Sequence, residues 1–277
     1  MAHGLKQRHI DILMNLGICV SLKNRSNLIV QQEDPNTYKF IANKLVIAPS
    51  ITPPPTILAN GDIQLNLLPR MLASLAAIKG DDSWHVIIVD FGSTDTNINE
   101  LCKTALNDIP YTIHRESGQF NRGGGLDMGA CIARDLGIKS LFFCDSDMIF
   151  TDRDIFLQAK EALQLNKIYY PICFSYTNSN HTHGFWRDSG YGMVFMNTAM
   201  YFQTSRWANN ITWGWEDRAL HDGLDPATLV RTRATGYFHQ WHPNSSEFKT
   251  KEYTVKQYMG PNSVVGRIIS QGTVSPT

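Results

Sequence analysis

The first half of the chain alternates between apolar segments of strand length and amphipathic segments of helix length. This alternation restricts the fold more than any other feature, because strands separated by helices assemble into a mostly parallel sheet with helices on both faces. The sequence therefore predicts an α/β fold, in which ligands bind beyond the carboxyl ends of the strands. Strands are predicted at 17–25, 85–90 and 139–150, and helices at 5–16, 66–80, 126–137 and 151–165, the last capped by Thr151.

The second half has a different pattern. From about residue 170 it consists of loops rich in aromatic residues and glycine, such as YYPICFSYTNSNHTHGFWRDSGYGMVF, and such loops are typical of substrate clefts. Residues 31–61 include TPPPT and NGD, and their turn chemistry predicts an irregular excursion inserted after the first strand.

Composition argues against several functions. The 25 basic and 25 acidic side chains cancel, so the overall charge favours neither nucleic acid nor an anionic membrane as a partner. The five cysteines form no CxxC pair, which favours free thiols in a reducing compartment over a disulfide framework or a structural zinc site. Neither a signal peptide nor an apolar run of about 18 residues is present. We therefore expect a cytoplasmic protein with no membrane span, and we leave peripheral membrane association open.

The motif FFCDSDMIF places Asp145 and Asp147 at the end of an apolar strand. Carboxylate oxygens suit Mg²⁺ or Mn²⁺, which proteins often bind through one or two acids together with substrate phosphates. An ordinary strand-end turn with two solvated acids explains the motif equally well.

The motif TWGWEDRAL places Glu216 and Asp217 beside Trp213 and Trp215. Aromatic rings stack on sugars, and a carboxylate partly removed from water there can act as a general base on a hydroxyl. The alternative is a helix start whose acids complement the helix dipole, with tryptophans in the core.

Two further motifs offer binding groups. In GYFHQWHP, His239 and His242 are three residues apart, and either can ligate a metal, although a lone histidine is more often structural. In GQFNRGGGLDMGA, Arg122 precedes three glycines and a predicted helix, which together suit a diphosphate; a flexible loop is the alternative.

The order of ICVSLKNR, IIVDFGSTD, FNRGGGLDMGA, FFCDSDMIF, WGWED and FHQWHP resembles that of the nucleotide-sugar glycosyltransferases of the GT-A fold. The chain is most similar to the bacterial family-2 chondroitin-polymerase-type transferases and the animal β-1,4-galactosyltransferases, from about residue 17 to 243. The resemblance implies a single GT-A domain over 1–277, with a nucleotide-sugar-binding half at 17–150, an acceptor and catalytic half at 151–258 and a peripheral tail at 259–277.

The resemblance also implies roles for individual residues. The residues implied at the donor nucleotide and its phosphates are Lys23, Arg25, Asp90, Arg122 and Asp145. Among them, Asp90 would face the uracil or ribose. The implied metal ligands are Asp147 and His239, with Asp145 near the ribose or the metal. On the acceptor side, Trp213 would contact a sugar, Glu216 the acceptor, and Asp217 would be the catalytic base.

This sequence departs from the family pattern at several points. Trp215 stands where the family has glycine, which would reshape the substrate-binding pocket. Arg218 follows the predicted base where the animal enzymes have further acids, and Ser21 ends the first strand where proline is common. None of these changes removes a predicted ligand or the base.

The resemblance thus implies an inverting, Mn²⁺- or Mg²⁺-dependent transfer of a hexose, HexNAc or hexuronic acid from a UDP-sugar to a glycan acceptor hydroxyl. A haloacid-dehalogenase-type phosphatase also uses a DxD motif, but it requires Thr or Val where this chain has Ile149. A sugar nucleotidyltransferase requires a glycine-rich basic signature near the start, which this sequence lacks. A non-catalytic carbohydrate-binding subunit of a polysaccharide-synthesising complex is the alternative outside the enzymes.

Overall fold

A computed structural model of the protein describes residues 14–22, 28–34, 37–42, 56–57, 63–94, 96–209 and 215–242. The strands within these ranges are β1 (Asn15–Leu22), β2 (Leu28–Asp34), β3 (Thr37–Ala42), β4 (Thr56–Ile57), β5 (Ile63–Leu65), β6 (Ser83–Asp90), β7 (Tyr111–Arg115), β8 (Ser140–Cys144), β9 (Met148–Phe150), β10 (Ile168–Tyr176), β11 (Gly184–Trp186), β12 (Val194–Asn197) and β13 (Leu229–His239). The helices are α1 (Leu67–Ile78), α2 (Ile98–Ala105), α3 (Arg122–Asp135), α4 (Asp154–Gln164), α5 (Thr198–Tyr201) and α6 (Glu216–Asp222).

The central sheet has the strand order β7-β6-β1-β8-β12-β10-β13-β9, with β11 paired to β10. Strands β7, β6, β1 and β8 are parallel, as the strand and helix alternation predicts. Strand β12 joins β8 in the antiparallel sense and adds the second half of the chain to the same sheet. Because the parallel strands end on one side, the turns after β6 and β8 lie at the edge where ligands bind.

Helices cover both faces of this sheet, which confirms the predicted α/β class. Phe142 belongs to the core cluster that contains buried residues of α1, α2 and α4, whereas its neighbour Phe143 belongs to the cluster that contains residues of α3, α5 and α6. Successive strand residues point to opposite faces, so one apolar run supplies both cores. In the described part of the chain, no helix has the length and apolar character needed to cross a bilayer.

Several predicted boundaries are wrong. The run over 139–150 forms two strands, β8 and β9, separated by a turn at 145–147. Helix α3 begins four residues before the predicted start, and α4 is capped at Arg153 rather than Thr151. The predicted helix over 5–16 overlaps the start of β1, and its residues before 14 lie outside the described ranges.

The predicted excursion at 31–61 contains more regular structure than its turn chemistry indicates. Strands β3, β2, β5 and β4 form a separate four-stranded antiparallel sheet in that order. Within this excursion the sequence KLVIAPSI (44–51) also predicts a short strand, but it lies outside the described residues.

Candidate active site

The turn between β8 and β9 directs its two carboxylates toward different partners. Asp145 Oδ1 accepts a hydrogen bond from Arg122 Nε at 2.8 Å and forms an ion pair with the same guanidinium, 2.7 Å from Nη2. Asp147 Oδ2 lies 3.3 Å from His239 Nε2 and 3.3 Å from His242 Nε2. The two acids therefore belong to two distinct clusters, one centred on a guanidinium and the other on imidazoles.

Asp147, His239 and His242 form a group whose ligand atoms all lie within 4.8 Å of one another. Asp147 Oδ1 is buried and has no hydrogen-bond partner among the described residues, so it can accept a contact from a bound ligand. Burial acts to raise the pKa of Asp147, but the two histidines outweigh it and hold that pKa well below the usual range. One carboxylate oxygen, Oδ2, facing two imidazole nitrogens, with the other oxygen unpaired among the described residues, is a ligand set that fits a divalent metal ion.

Two neighbouring residues hold the histidines in place. Ser175 Oγ lies 3.2 Å from His239 Nδ1, which leaves Nε2 facing Asp147. Gln240 is fully buried: its backbone N–H donates to Asp147 O at 2.8 Å, and its amide donates to Leu67 O at 3.0 Å and Met148 O at 3.2 Å. The end of β13 is therefore fixed against the turn that carries Asp147.

Arg122, at the start of α3, connects the turn after β8 with α6. Its Nη2 donates to Gly192 O at 2.7 Å, and its Nη1 lies 3.5 Å from Glu216 Oε1. Burial acts to lower the pKa of Arg122, but Asp145 and Glu216 raise it overall, so the guanidinium stays charged. The guanidinium also lies 5.3 Å from the ring centroid of Trp207.

Glu216 and Asp217 begin α6 and have different surroundings. Glu216 is 5% exposed, and burial raises its pKa although Arg122 opposes the rise. Its Oε2 has no hydrogen-bond partner among the described residues. Asp217 is half-buried, accepts a hydrogen bond from the N–H of Arg218 at 2.8 Å and, in the described part of the chain, forms no ion pair. Its charge is therefore available to a ligand.

Asp90 lies away from both clusters, at the end of β6. Its Oδ1 accepts hydrogen bonds from Ser93 N at 2.9 Å and Ser93 Oγ at 2.6 Å, and its Oδ2 pairs with Arg115. The carboxylate is completely buried, so the protein itself satisfies it. This arrangement favours a role in shaping the turn after β6, while the predicted contact to the uracil or ribose stays a prediction.

Four other residues were predicted to contact the donor or the acceptor. Lys23, Arg25 and Trp213 lie outside the described residues. Trp215 caps α6 in a left-handed conformation with φ of 77°, so the residue that replaces the family's glycine keeps a backbone conformation favoured by glycine.

The comparisons with known proteins identify the family and the fold. Residues 88–261 match the sequence pattern of the family described as chondroitin N-acetylgalactosaminyltransferase. The chain belongs to this chondroitin N-acetylgalactosaminyltransferase family. The matched region contains the guanidinium cluster around Arg122 and the imidazole cluster of Asp147, His239 and His242. Chondroitin sulfate N-acetylgalactosaminyltransferase 1 of Mus musculus is 30% identical over 210 residues, which cover 65% of this chain and 38% of the relative. The chain therefore matches well under half the length of that curated relative.

Solved structures confirm the GT-A fold for this member of the chondroitin N-acetylgalactosaminyltransferase family. S. aureus TarS 1-349 in complex with UDP-GlcNAc matches with a TM-score of 0.57 at 11% identity, covering 84% of this chain and 60% of that one. The mannosyltransferase PcManGT of Pyrobaculum calidifontis, in complex with GDP-Man and Mn²⁺, matches with a TM-score of 0.53 at 10% identity, covering 90% and 63%. At such low identity these likenesses show the fold alone.

Sequence reasoning missed two residues of this group and left a third open. His242, which the sequence offered as an alternative to His239, lies with His239 beside Asp147, whereas Asp145 pairs with Arg122. Gln240 lies between the two histidines, but nothing in its sequence context predicts its hydrogen bonds. Arg187 also lies beside this group, with Nη2 3.5 Å from His239 Nε2, and no motif identifies it.

Proposed function

We propose that this chain is the catalytic domain of an inverting, metal-dependent glycosyltransferase that transfers N-acetylgalactosamine from its UDP-sugar to a hydroxyl of a glycan acceptor in glycosaminoglycan synthesis. The observation that carries the proposal is the group of Asp147, His239 and His242, whose ligand atoms all lie within 4.8 Å of one another and can hold a metal ion. The choice of donor rests on the family and on the name of the relative in Mus musculus.

Asp147, His239 and His242 would hold the metal ion, and Mn²⁺ suits them better than Mg²⁺. Mg²⁺ prefers an octahedral shell of oxygen ligands, whereas two of these three ligands are imidazole nitrogens. A divalent ion bound there supplies positive charge to the leaving diphosphate. Asp145 is not needed as a ligand in this arrangement, because Arg122 already neutralises it.

Asp217 would accept the proton of the acceptor hydroxyl as that oxygen attacks the anomeric carbon from the face opposite UDP. Its exposure and its lack of an ion pair in the described region support this role. Glu216 would hydrogen-bond the acceptor through its unpartnered Oε2. Arg122 would support the donor phosphates electrostatically from the start of α3.

The proposal is tested by UDP release from a panel of UDP-sugars, with a chondroitin oligosaccharide as acceptor, in Mn²⁺, in Mg²⁺ and in EDTA. We expect release to be fastest from UDP-N-acetylgalactosamine in Mn²⁺ and abolished in EDTA. Glycan binding without release from any donor would instead support the non-catalytic subunit. The anomeric configuration of the product, read by NMR, tests inversion separately, since retention would contradict the role of Asp217 as a base on the acceptor.

A further inference from the structure

Arg187 places a second positive charge beside the proposed metal site. It follows β11, and its backbone N–H donates to Cys173 O at 3.0 Å, which ties it to β10. Its side chain is directed at His239, with Nη2 3.5 Å from His239 Nε2. That nitrogen is the atom that would bind the metal, so the guanidinium and a divalent ion compete for the same contact.

The Arg187 guanidinium is near a carboxylate but, in the described part of the chain, is not paired with one: Asp147 faces the same His239 Nε2 from another side. Within the described residues Arg187 forms no ion pair, whereas Arg233 nearby pairs with Asp188 at 3.1 Å. A half-buried guanidinium that faces an imidazole lacks the anion that such a group normally binds. A metal ion bound to His239 would therefore lie beside the Arg187 guanidinium, and a ligand with more than one negative charge can bind both cations.

We propose that Arg187 lies against His239 when the site is empty and turns onto the donor diphosphate when metal and nucleotide bind together. The inference rests on the proposed function and assigns one residue of its diphosphate site. With metal alone, the guanidinium and the ion repel each other across His239. With the diphosphate present, both cations contact the same anion, and the planar guanidinium can form two hydrogen bonds to phosphate oxygens. Arg187 therefore disfavours metal binding alone and favours metal and nucleotide binding together.

The test is Arg187→Met, which removes the charge but keeps an unbranched side chain. Mn²⁺ binding without nucleotide, followed by electron paramagnetic resonance, should become several-fold tighter. UDP binding in saturating Mn²⁺, followed by calorimetry, should become weaker by about tenfold or more, as expected for a lost hydrogen bond to a charged group. These opposite changes separate the proposal from a general loss of structure, which would weaken both.

Two further variants complete the design. Arg187→Lys keeps the charge but not the two-pronged geometry, so it should leave Mn²⁺ binding close to wild type and weaken UDP binding by less than Arg187→Met does. Arg233→Met removes a neighbouring guanidinium that is already paired with Asp188, and it should change neither affinity.

The outcomes also separate this inference from the proposed function. If the wild-type protein binds Mn²⁺ and UDP but Arg187→Met alters neither affinity, or weakens both, this inference is overturned and the proposed metal site stands. If the wild-type protein binds no Mn²⁺ with or without UDP, the proposed site fails and this inference fails with it.

Discussion

Asp217 and Glu216 are adjacent in sequence, yet only one of them suits general base catalysis. Asp217 is half-buried and forms no ion pair in the part of the chain that the structure describes, whereas Glu216 is buried beside Arg122. Base catalysis contributes about 10² to 10⁴-fold to a rate. We therefore expect Asp217→Asn to lower kcat by about that factor with little change in UDP binding. Asp222→Asn, at an exposed acid of the same helix that pairs with Arg218, is the matched control and should keep kcat. Full activity of Asp217→Asn would remove the base assignment.

Because Glu216 is buried, we expect the free energy of unfolding to depend on pH through this residue. Burial raises the pKa of Glu216 in the folded protein, so at a pH between the unfolded and folded pKa values the folded state holds a proton that the unfolded chain has lost. Stability therefore falls as pH rises from about 4.3, the usual pKa of a glutamate, through the folded-state pKa. Glu216→Gln cannot titrate, so its free energy of unfolding relative to wild type should increase over that interval. Urea unfolding of both proteins at about pH 4 and pH 7.5 measures this difference, and parallel pH curves would contradict it.

Helix α3 contacts β1 closely because it carries glycine at the contact. A Cβ at Gly125 would overlap the Ser21 hydroxyl and lie 2.9 Å from Phe91 Cε2, both on strand-end residues with little room to move. A Cβ at Gly124 would instead lie 3.2 Å from side-chain atoms of Asn209 and of Asn121, the N-cap residue of α3, which is a milder overlap. We expect Gly125→Ala to be about 1–3 kcal/mol less stable than Gly124→Ala, because overpacking costs that much. Equal urea midpoints for the two variants would mean that α3 can move away from β1.

The turn that leads into α6 is strained at Trp215. Its φ of 77° lies in the left-handed region, which costs a residue with a Cβ about 1–2 kcal/mol. Trp215→Gly and Trp215→Ala both remove the indole, so their difference isolates the backbone. The glycine variant should unfold at a higher temperature, with an advantage of about 1 kcal/mol. A more stable alanine variant would show that position 215 leaves the left-handed region once the indole is gone.

The elements of the parallel half were largely predictable from the sequence, since apolar runs and helical spacing report local preferences. The strand end at Asp145 was predicted, but β9 was not recognised as a separate strand, because apolar residues lie on both sides of Asp145 and Asp147. The cap of α4 was placed at Thr151, but Asp152 accepts the hydrogen bond from the Asp154 N–H at 2.9 Å. In both cases several polar residues are adjacent in the sequence, and spacing alone does not show which of them forms the turn or caps the helix.

At the scale of the molecule, the candidate site joins segments that lie far apart in the chain. The motifs of Asp147 and His239 were both recognised in the sequence, but their distance depends on the pairing of β13 with β9. The pairing of Asp90 with Arg115 and of Asp145 with Arg122 likewise depends on side chains brought together by the sheet. The chemical groups of the site could therefore be predicted from the sequence, whereas the residues that each group contacts are known only from the folded structure.

Because the proposed metal ligands come from the β8–β9 turn and from the end of β13, ligand binding should stabilise the whole fold rather than one loop. A ligand that binds only the folded state at 100 times its Kd adds about 2.7 kcal/mol, which for a chain of this size raises Tm by about 5–10 °C. We expect Mn²⁺ and UDP together to produce such a shift in differential scanning fluorimetry, and UDP in EDTA to produce little. Asp147→Ala should abolish the shift, whereas Asp135→Ala, at an exposed acid paired with Arg134, should keep it. An equal shift in Asp147→Ala would show that the metal and nucleotide bind elsewhere.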